Sequence, residues 1–279
     1  MTYTTLISPA TLQTNLTQPD WIIVDCRFVL SDPGLGRRQY LEGHIPGAVY
    51  VHLDDDLSNP PTTDRGRHPL PPPSRLIALF SYLGVTTGKQ VVVYDDANGA
   101  YAARLWWMLR YMGYEAVAVL AGGWTGWQKA GLPSRAGEEQ PIPVLFTGSP
   151  RREWLVTLDE LPEQILLVDS REPARYRGEV ETIDPVAGHI PGAVNYHFGR
   201  NWGPDGRWLA PEQVREGLLT VLGGTRPQQA VFYCGSGVSA CVNLLALKYA
   251  GLPDDKLYVG SWSEWCSDPA RPIATGDTP

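Results

Sequence analysis

The sequence Gly43-His44-Ile45-Pro46-Gly47-Ala48-Val49 returns unchanged as Gly188-His189-Ile190-Pro191-Gly192-Ala193-Val194, about half a chain later. An identical stretch at such a distance indicates a tandem duplication. A chain of 279 residues is long enough for two ordinary domains, each able to bury its own core. The stretch before residue 150 is rich in Pro, Gly and Glu and has no hydrophobic period, as in a linker. We therefore expect an N-terminal domain over residues 1–140, a linker over 141–150 and a C-terminal domain over 151–279.

The two halves keep the same register around this stretch but differ at one chemically decisive position. Ile22 to Arg27 reads IIVDCR where Leu166 to Arg171 reads LLVDSR. At the end of the next matching apolar run, the first half has Asp95 and the second half has Cys234. A carboxylate cannot act as a sulfur nucleophile. The N-terminal domain is therefore expected to be non-catalytic, and the C-terminal domain to be the catalytic one.

Short apolar runs alternate with helix-length segments in both halves, which is typical of an α/β fold. The runs are continuously apolar, and this pattern predicts a mostly parallel sheet in each domain, buried on both faces and flanked by helices. The predicted strands are Trp21–Asp25, Gln90–Tyr94, Ala116–Leu120, Ile165–Asp169, Ala230–Tyr233 and Lys256–Val259. The predicted helices are Ser74–Leu83, Ala100–Tyr111, Ala210–Leu222 and Ser239–Ala250.

The composition argues against several classes of partner. A net charge of −7 disfavours a nucleic acid or an anionic membrane as the main partner. Residues 1–20 lack the basic start and apolar core of a signal peptide, and no apolar run reaches the length of a membrane span. The four cysteines, at positions 26, 234, 241 and 266, show neither Cys-x-x-Cys nor Cys/His spacing, so we expect no disulfide framework and no metal site. These features predict a cytoplasmic protein with a free thiol.

Cys234 stands where a buried strand should end, and Gly235-Ser236-Gly237 follows it. A loop with two glycines can turn its backbone N–H groups inward and form a cradle for an anion. The helix predicted to begin near Ser239 directs its N-terminal partial positive charge at the sulfur. Both effects favour the thiolate, which is the nucleophilic form of cysteine. The alternative is a small packed cysteine at a strand end.

The loop Cys234-Gly235-Ser236-Gly237-Val238-Ser239-Ala240, the two copies of Gly-His-Ile-Pro-Gly-Ala-Val and the closing stretch Gly260 to Trp265 together resemble the two-domain rhodanese family of sulfurtransferases. The resemblance extends over nearly the whole chain. It implies two tandem rhodanese-like α/β domains, a catalytic cysteine in the second domain alone, a cysteine persulfide intermediate and no cofactor.

The loop is similar to that of the 3-mercaptopyruvate branch of this family, whereas the thiosulfate branch has Arg and Lys directly after the cysteine. The resemblance makes Arg175 the arginine that binds the donor's carboxylate, a task to which a guanidinium is suited. A second arginine that this branch often has is missing, because residues 178–188 contain neither Arg nor Lys. The preferred donor, 3-mercaptopyruvate or thiosulfate, is therefore open. The other donor-binding residues that the resemblance implies are Gly235, Gly237, Val238 and Ser239.

The resemblance also implies a serine and a histidine that act together in proton transfer, Ser236 and His44. His189 occupies the place of His44 in the second copy, so both histidines can instead be structural. Two further arginines, Arg171 and Arg177, could assist Arg175, although the strand-end position of Arg171 favours a structural ion pair.

The leading function is transfer of sulfane sulfur from 3-mercaptopyruvate, through a Cys234 persulfide, to cyanide or to a thiol such as thioredoxin or glutathione. The alternatives are a thiosulfate:cyanide sulfurtransferase and a non-catalytic module that relays persulfide sulfur. A cysteine-dependent phosphatase needs Cys-x5-Arg, and the sixth residue after Cys234 is Ala240, which argues against that class.

Overall fold

A computed structural model describes residues 2–62, 65–161, 166–253 and 256–279. The chain forms two compact units, each with its own core. The first contains the residues up to Asn59 together with Pro71–Arg151, and the second contains Pro60–Leu70 together with Arg152–Pro279. An eleven-residue segment of the first half thus belongs to the second unit, which the repeat does not predict.

The residues predicted as a linker, 141–150, pack with the first unit. Phe146 is buried there, with its ring centroid 5.2 Å from that of Phe80. The backbone N–H of Val144 donates to the carbonyl of Ser81 at 2.9 Å. The segment is therefore held to this unit by both apolar and polar contacts.

The first unit is a five-stranded parallel sheet in the order β1-β5-β4-β2-β3, with helices between the strands. Along the chain its elements are β1 Leu6–Ile7, α1 Pro9–Asn15, β2 Trp21–Asp25, α2 Leu35–Glu42, β3 Ala48–Tyr50, α3 Pro73–Tyr82, β4 Gln90–Tyr94, α4 Ala100–Tyr111, β5 Val117–Leu120 and α5 Gly123–Lys129.

The second unit repeats this order as β6-β10-β9-β7-β8, again with all strands parallel. Its elements are β6 Leu155–Val156, β7 Leu166–Asp169, α6 Pro173–Tyr176, β8 Val194–Asn195, α7 Pro211–Leu222, β9 Ala230–Tyr233, α8 Ala240–Tyr249, β10 Leu257–Tyr258 and α9 Ser261–Trp265. Short 3-10 helices lie at Arg152–Trp154, Leu158–Glu160, Phe198–Asn201 and Pro227–Gln229.

The predicted α/β fold with two parallel sheets is confirmed. The strands β2, β4 and β9 begin and end at the residues predicted from their apolar runs. All or nearly all of their residues are buried, so the apolar run sets the length of each strand. The helix α8 is mostly apolar and eight of its ten residues are buried, so it is a core helix. The first residue of the predicted strand Ile165–Asp169 lies outside the described residues.

The fold brings the matching positions of the two halves to the same edge of each sheet. Asp95 follows β4 and Cys234 follows β9, and each of these strands lies at the centre of its sheet. The carboxyl ends of parallel strands are where open α/β sheets place their ligands. Within the described ranges, no helix has both the length and the apolar character that a membrane span requires.

Candidate active site

The Cys234 sulfur lies in a cradle of hydrogen-bond donors. It accepts from the backbone N–H groups of Ser236, Val238 and Ala240 and from the hydroxyl of Ser239. Burial favours the neutral thiol, but the four donors together outweigh it, so the pKa of Cys234 lies below its usual value. Ala240 is the first residue of α8, so its N–H also brings the positive end of that helix to the sulfur. The cradle predicted from the sequence is thus present, and it favours the thiolate over the thiol.

Gly237 allows the loop to close. Its φ is +74°, in the left-handed region, and a Cβ at this position would lie 2.4 Å from the carbonyl oxygen of Val259. A larger residue would have to push that backbone away. Two further bonds fix the loop, because the Trp262 and Ser263 N–H groups donate to the carbonyls of Cys234 and Gly235 at 3.0 and 2.9 Å.

Ser261 fixes the backbone of Cys234 through its hydroxyl. Its Oγ accepts from the Cys234 N–H at 3.2 Å and donates to the Tyr258 carbonyl at 2.9 Å. Ser261 has a φ of +55°, which is unusual for a residue other than glycine. The matching residue of the first copy is Gly123, also at +55°. The second copy thus accepts backbone strain at this position and gains a hydroxyl that binds the N–H of Cys234.

Ser236 is paired with His68, and not with His44 as the resemblance implied. The Ser236 Oγ lies 2.7 Å from Nδ1 of His68, and both residues are buried. His68 reaches this position because Pro60–Leu70 belongs to the second unit.

His44 is held within the first unit in a structural arrangement. Its Nδ1 lies 2.8 Å from the carbonyl of Tyr40, and its ring stacks on that tyrosine at 4.1 Å. His189 repeats this arrangement with Tyr176, at 2.8 Å to the carbonyl and 3.7 Å between rings. The expected role of His44 beside Ser236 was therefore wrong, because the repeated motif fixes its histidine against the preceding helix in both copies.

Arg175 lies beside the cradle and is held by two acidic residues. It donates from Nε and Nη2 to the carboxylate of Glu181 at 2.8–3.0 Å, and from Nη2 to Asp184 at 3.0 Å. A Cβ at Gly235 would lie 3.7 Å from Nη1 and Nη2 of Arg175. The guanidinium is therefore next to the first residue of the loop.

The other two arginines of interest have structural partners. Arg171 forms a buried ion pair with Asp169 at 2.6 Å, donates to the carbonyl of Gly188 and lies 4.7 Å above the ring of Trp262. Arg177 is paired with Glu179 at 2.7 Å.

The remaining cysteines, Cys26, Cys241 and Cys266, are buried free thiols. Burial raises the pKa of the thiols of Cys26 and Cys266, which makes them poor nucleophiles. Cys241 directs its sulfur at the carbonyl of Gly237 at 3.5 Å. The described part of the chain contains no cluster of three or more His, Cys, Asp or Glu residues that could hold a metal ion.

In the first unit the same cradle is filled by the carboxylate of Asp95. Its two oxygens accept from the N–H groups two, four, six and seven residues later, all at 2.8 Å. The sulfur of Cys234 uses the N–H groups two, four and six residues later. Both copies therefore build one anion-binding loop, and the first occupies it with its own side chain.

Sequence reasoning missed two residues of the site, His68 and Arg67. The Arg67 N–H donates to Ser263 at 3.1 Å, and its guanidinium is paired with Asp184. Both residues come from the proline-rich segment between β3 and α3. No local pattern in the sequence singled them out.

Comparisons with known proteins agree with this geometry. The profile of the rhodanese-like domain matches residues 8–130 and 152–268. A Pseudomonas aeruginosa protein named "Probable 3-mercaptopyruvate sulfurtransferase" is 47% identical over 279 residues, which is 98% of each chain. The thiosulfate sulfurtransferase of Bos taurus is 35% identical, over 88% of this chain and 85% of its own. The crystal structure of the 3-mercaptopyruvate sulfurtransferase SseA from Escherichia coli matches with a TM-score of 0.79 and 32% identity, over 94% of this chain and all of that one.

Proposed function

The chain belongs to the rhodanese family of sulfurtransferases, and on that premise we propose that it transfers sulfane sulfur from 3-mercaptopyruvate through a persulfide on Cys234. The observation that carries this proposal is the cradle of four donors around one buried sulfur. Such a cradle stabilises a thiolate before the donor arrives, and it can stabilise the negative charge of the persulfide afterwards.

The first half-reaction is nucleophilic attack by the Cys234 thiolate on the sulfur of the donor. An S–S bond forms while the C–S bond of 3-mercaptopyruvate breaks, and the electron pair of that bond leaves with carbon as the enolate of pyruvate. The enolate then takes up a proton. Ser236 and His68, at 2.7 Å from each other, form a hydroxyl–imidazole pair that can deliver it.

The donor is positioned by the loop and by Arg175. Gly235, Gly237, Val238 and Ser239 provide uncharged backbone around the sulfur, and Arg175 lies at the edge of the loop to bind the carboxylate. A loop without cations matches a donor whose reacting sulfur carries little charge. This match favours 3-mercaptopyruvate over thiosulfate, which is a compact dianion.

The second half-reaction passes the outer sulfur of the persulfide to an acceptor. A thiol acceptor becomes a persulfide, cyanide becomes thiocyanate, and Cys234 returns as the thiolate in both cases. Thioredoxin and glutathione are the thiol acceptors that we propose. Both the free thiolate and these acceptors need a reducing compartment, and the cytoplasm is the one we propose.

Steady-state kinetics with 3-mercaptopyruvate and with thiosulfate test this function. We expect a higher kcat/KM for 3-mercaptopyruvate, and no turnover of either donor by Cys234→Ser. Cys241→Ser is the matched control, because Cys241 is buried in the next helix and should leave the rates nearly unchanged. A clear preference of the unmodified protein for thiosulfate would overturn the donor assignment, and a fully active Cys234→Ser would overturn the function itself.

A further inference from the structure

A second arginine lies at the same edge of the cysteine loop as Arg175. A Cβ at Gly235 would lie 2.9 Å from Nη2 of Arg67, closer than the 3.7 Å that separates it from the guanidinium of Arg175. The two guanidinium groups reach this place from different parts of the second unit, Arg67 from the Pro60–Leu70 segment and Arg175 from α6.

A single carboxylate holds the two arginines together. Asp184 accepts from Arg67 Nη1 through Oδ1 and from Arg175 Nη2 through Oδ2, and its side chain is only 2% exposed. Glu181 forms an ion pair with Arg175 at 2.8 Å, and its carboxylate lies 3.6 Å from the guanidinium of Arg171. Asp184 therefore fixes the spacing of a pair of cations at the entrance to the loop.

Both arginines have nitrogen atoms that are available to donate to a ligand. Among the hydrogen bonds of the described residues, none is made by Arg67 Nε or Nη2 or by Arg175 Nη1. The side chains are 28% and 16% exposed, so a small solute can reach them. Burial lowers the pKa of Arg67, and the nearby Cys234 thiolate is the charge that raises it most. The guanidinium of Arg67 thus lies within electrostatic reach of the reacting sulfur.

We propose that Arg67 is the second donor-binding cation of this site and, with Arg175, binds the anionic group of the sulfur donor. The inference rests on the proposed function, since it names a further residue for the same reaction. It also accounts for the missing arginine or lysine in residues 178–188, because the second cation comes from another part of the chain.

The charge balance of this group bears on the class of donor. Arg67 and Arg175 carry two positive charges, and Glu181 and Asp184 carry two negative ones. A monoanionic carboxylate adds one uncompensated charge to the group, whereas a dianion adds two. The arrangement therefore suits the carboxylate of a 2-oxo acid better than thiosulfate.

The test compares Arg67→Gln and Arg67→Lys with Arg65→Gln, an exposed arginine on the same segment that serves as the matched control. We expect Arg67→Gln to raise the KM for 3-mercaptopyruvate by about 10- to 100-fold, the range for loss of one hydrogen bond between charged groups. kcat should change much less, and inhibition by pyruvate should weaken by a similar factor. Arg67→Lys should restore part of the loss, and Arg65→Gln should behave as the unmodified protein.

Three further arms separate donor binding from a structural role. The methyl ester of 3-mercaptopyruvate lacks the anionic group, so its KM should be the same for Arg67→Gln and the unmodified protein. Thiosulfate is the second donor to be compared. A KM that rises in Arg67→Gln with either donor supports the inference, and the donor whose KM rises is the one that binds the two arginines. Pyruvate that binds at the site should protect Cys234 against alkylation by iodoacetamide, which measures binding without turnover. This protection should be lost in Arg67→Gln.

An unchanged KM with both donors in Arg67→Gln, or an equal rise for the acid and its ester, would overturn the inference. The failure of the proposed function would look different, since the unmodified protein would then turn over neither donor.

Discussion

At the scale of single residues, the sulfur of Cys234 and the hydroxyl of Ser236 have separate tasks although they lie two positions apart. Ser236 contributes its backbone N–H to the sulfur and its side chain to His68. Ser239 contributes its hydroxyl to the sulfur. Replacing either serine by alanine should therefore change one property of the site and spare the other.

The pKa of Cys234 is the property that depends on Ser239. The lowered pKa keeps the thiolate populated until the pH falls through that value. The stability that the thiolate contributes to the folded state is fully present above the ordinary cysteine pKa and is lost as the pH falls through the lowered one. Ser239→Ala should move the midpoint of the pH dependence of alkylation by iodoacetamide upward. Ser236→Ala is the control, since its N–H remains and its midpoint should stay near that of the unmodified protein. Equal midpoints for Ser239→Ala and the unmodified protein would contradict this assignment.

Turnover is the property that depends on Ser236 and His68. Loss of a positioned proton donor typically lowers a rate by about 10²- to 10⁴-fold. We expect Ser236→Ala and His68→Ala to lower kcat with 3-mercaptopyruvate within that range, while Cys234 is alkylated as fast as before. His44→Ala serves as the comparison, because His44 is bonded to Tyr40 in the first unit and should affect stability more than kcat. Full activity in His68→Ala would rule out the proton-transfer role.

At the scale of elements, the strand–loop–helix segment after the central strand of each sheet is the unit that the duplication has preserved. The loop after β4 and the loop after β9 direct N–H groups at the same spacing toward one anion. In the first unit that anion is the buried carboxylate of Asp95, whose four bonds tie the loop to the start of α4. Burial nevertheless raises the pKa of Asp95. As the pH rises from the ordinary aspartate pKa through the raised one, ionisation of this carboxyl therefore lowers the stability of the folded state.

Asp95→Ala tests this structural role. The substitution leaves four N–H groups without their acceptor, one of them buried and three partly buried, at about 1–3 kcal/mol for each one that water does not reach. We expect a lower unfolding midpoint for the first unit in urea, with sulfur transfer by Cys234 largely unchanged. Glu42→Ala, at an exposed acidic residue of the same unit, should change the midpoint little. An unchanged midpoint in Asp95→Ala would show that the loop does not need its internal anion.

The sequence predicts the elements well where burial sets their limits and poorly where tertiary structure does. The apolar runs of β2, β4 and β9 are long enough to be recognised alone, whereas β1 and β6 have two residues each and no period to detect. The cradle was predictable because Cys234 and its glycines are consecutive in the chain. The contacts of His68 and Arg67 were not, because they join residues more than a hundred positions apart.

At the scale of the whole molecule, the two units have the same strand order and the same anion-binding loop, and we propose that the second unit holds the groups that complete the catalytic site. His68, Arg67 and Arg175 all belong to the second unit. In the double variant Asp95→Cys with Cys234→Ser, the first loop should hold a reactive thiolate. We expect alkylation of this cysteine but no turnover of 3-mercaptopyruvate. Sulfur transfer by the double variant would mean that the loop alone is sufficient for catalysis.

The central claim is that the transferred sulfur is held on Cys234. The most direct test is mass spectrometry of peptides from the unmodified protein after one turnover with 3-mercaptopyruvate and no acceptor. We predict one added sulfur atom on the peptide that contains Cys234, and its removal when cyanide is supplied. Added sulfur on Cys26, Cys241 or Cys266 in place of Cys234 would contradict the account.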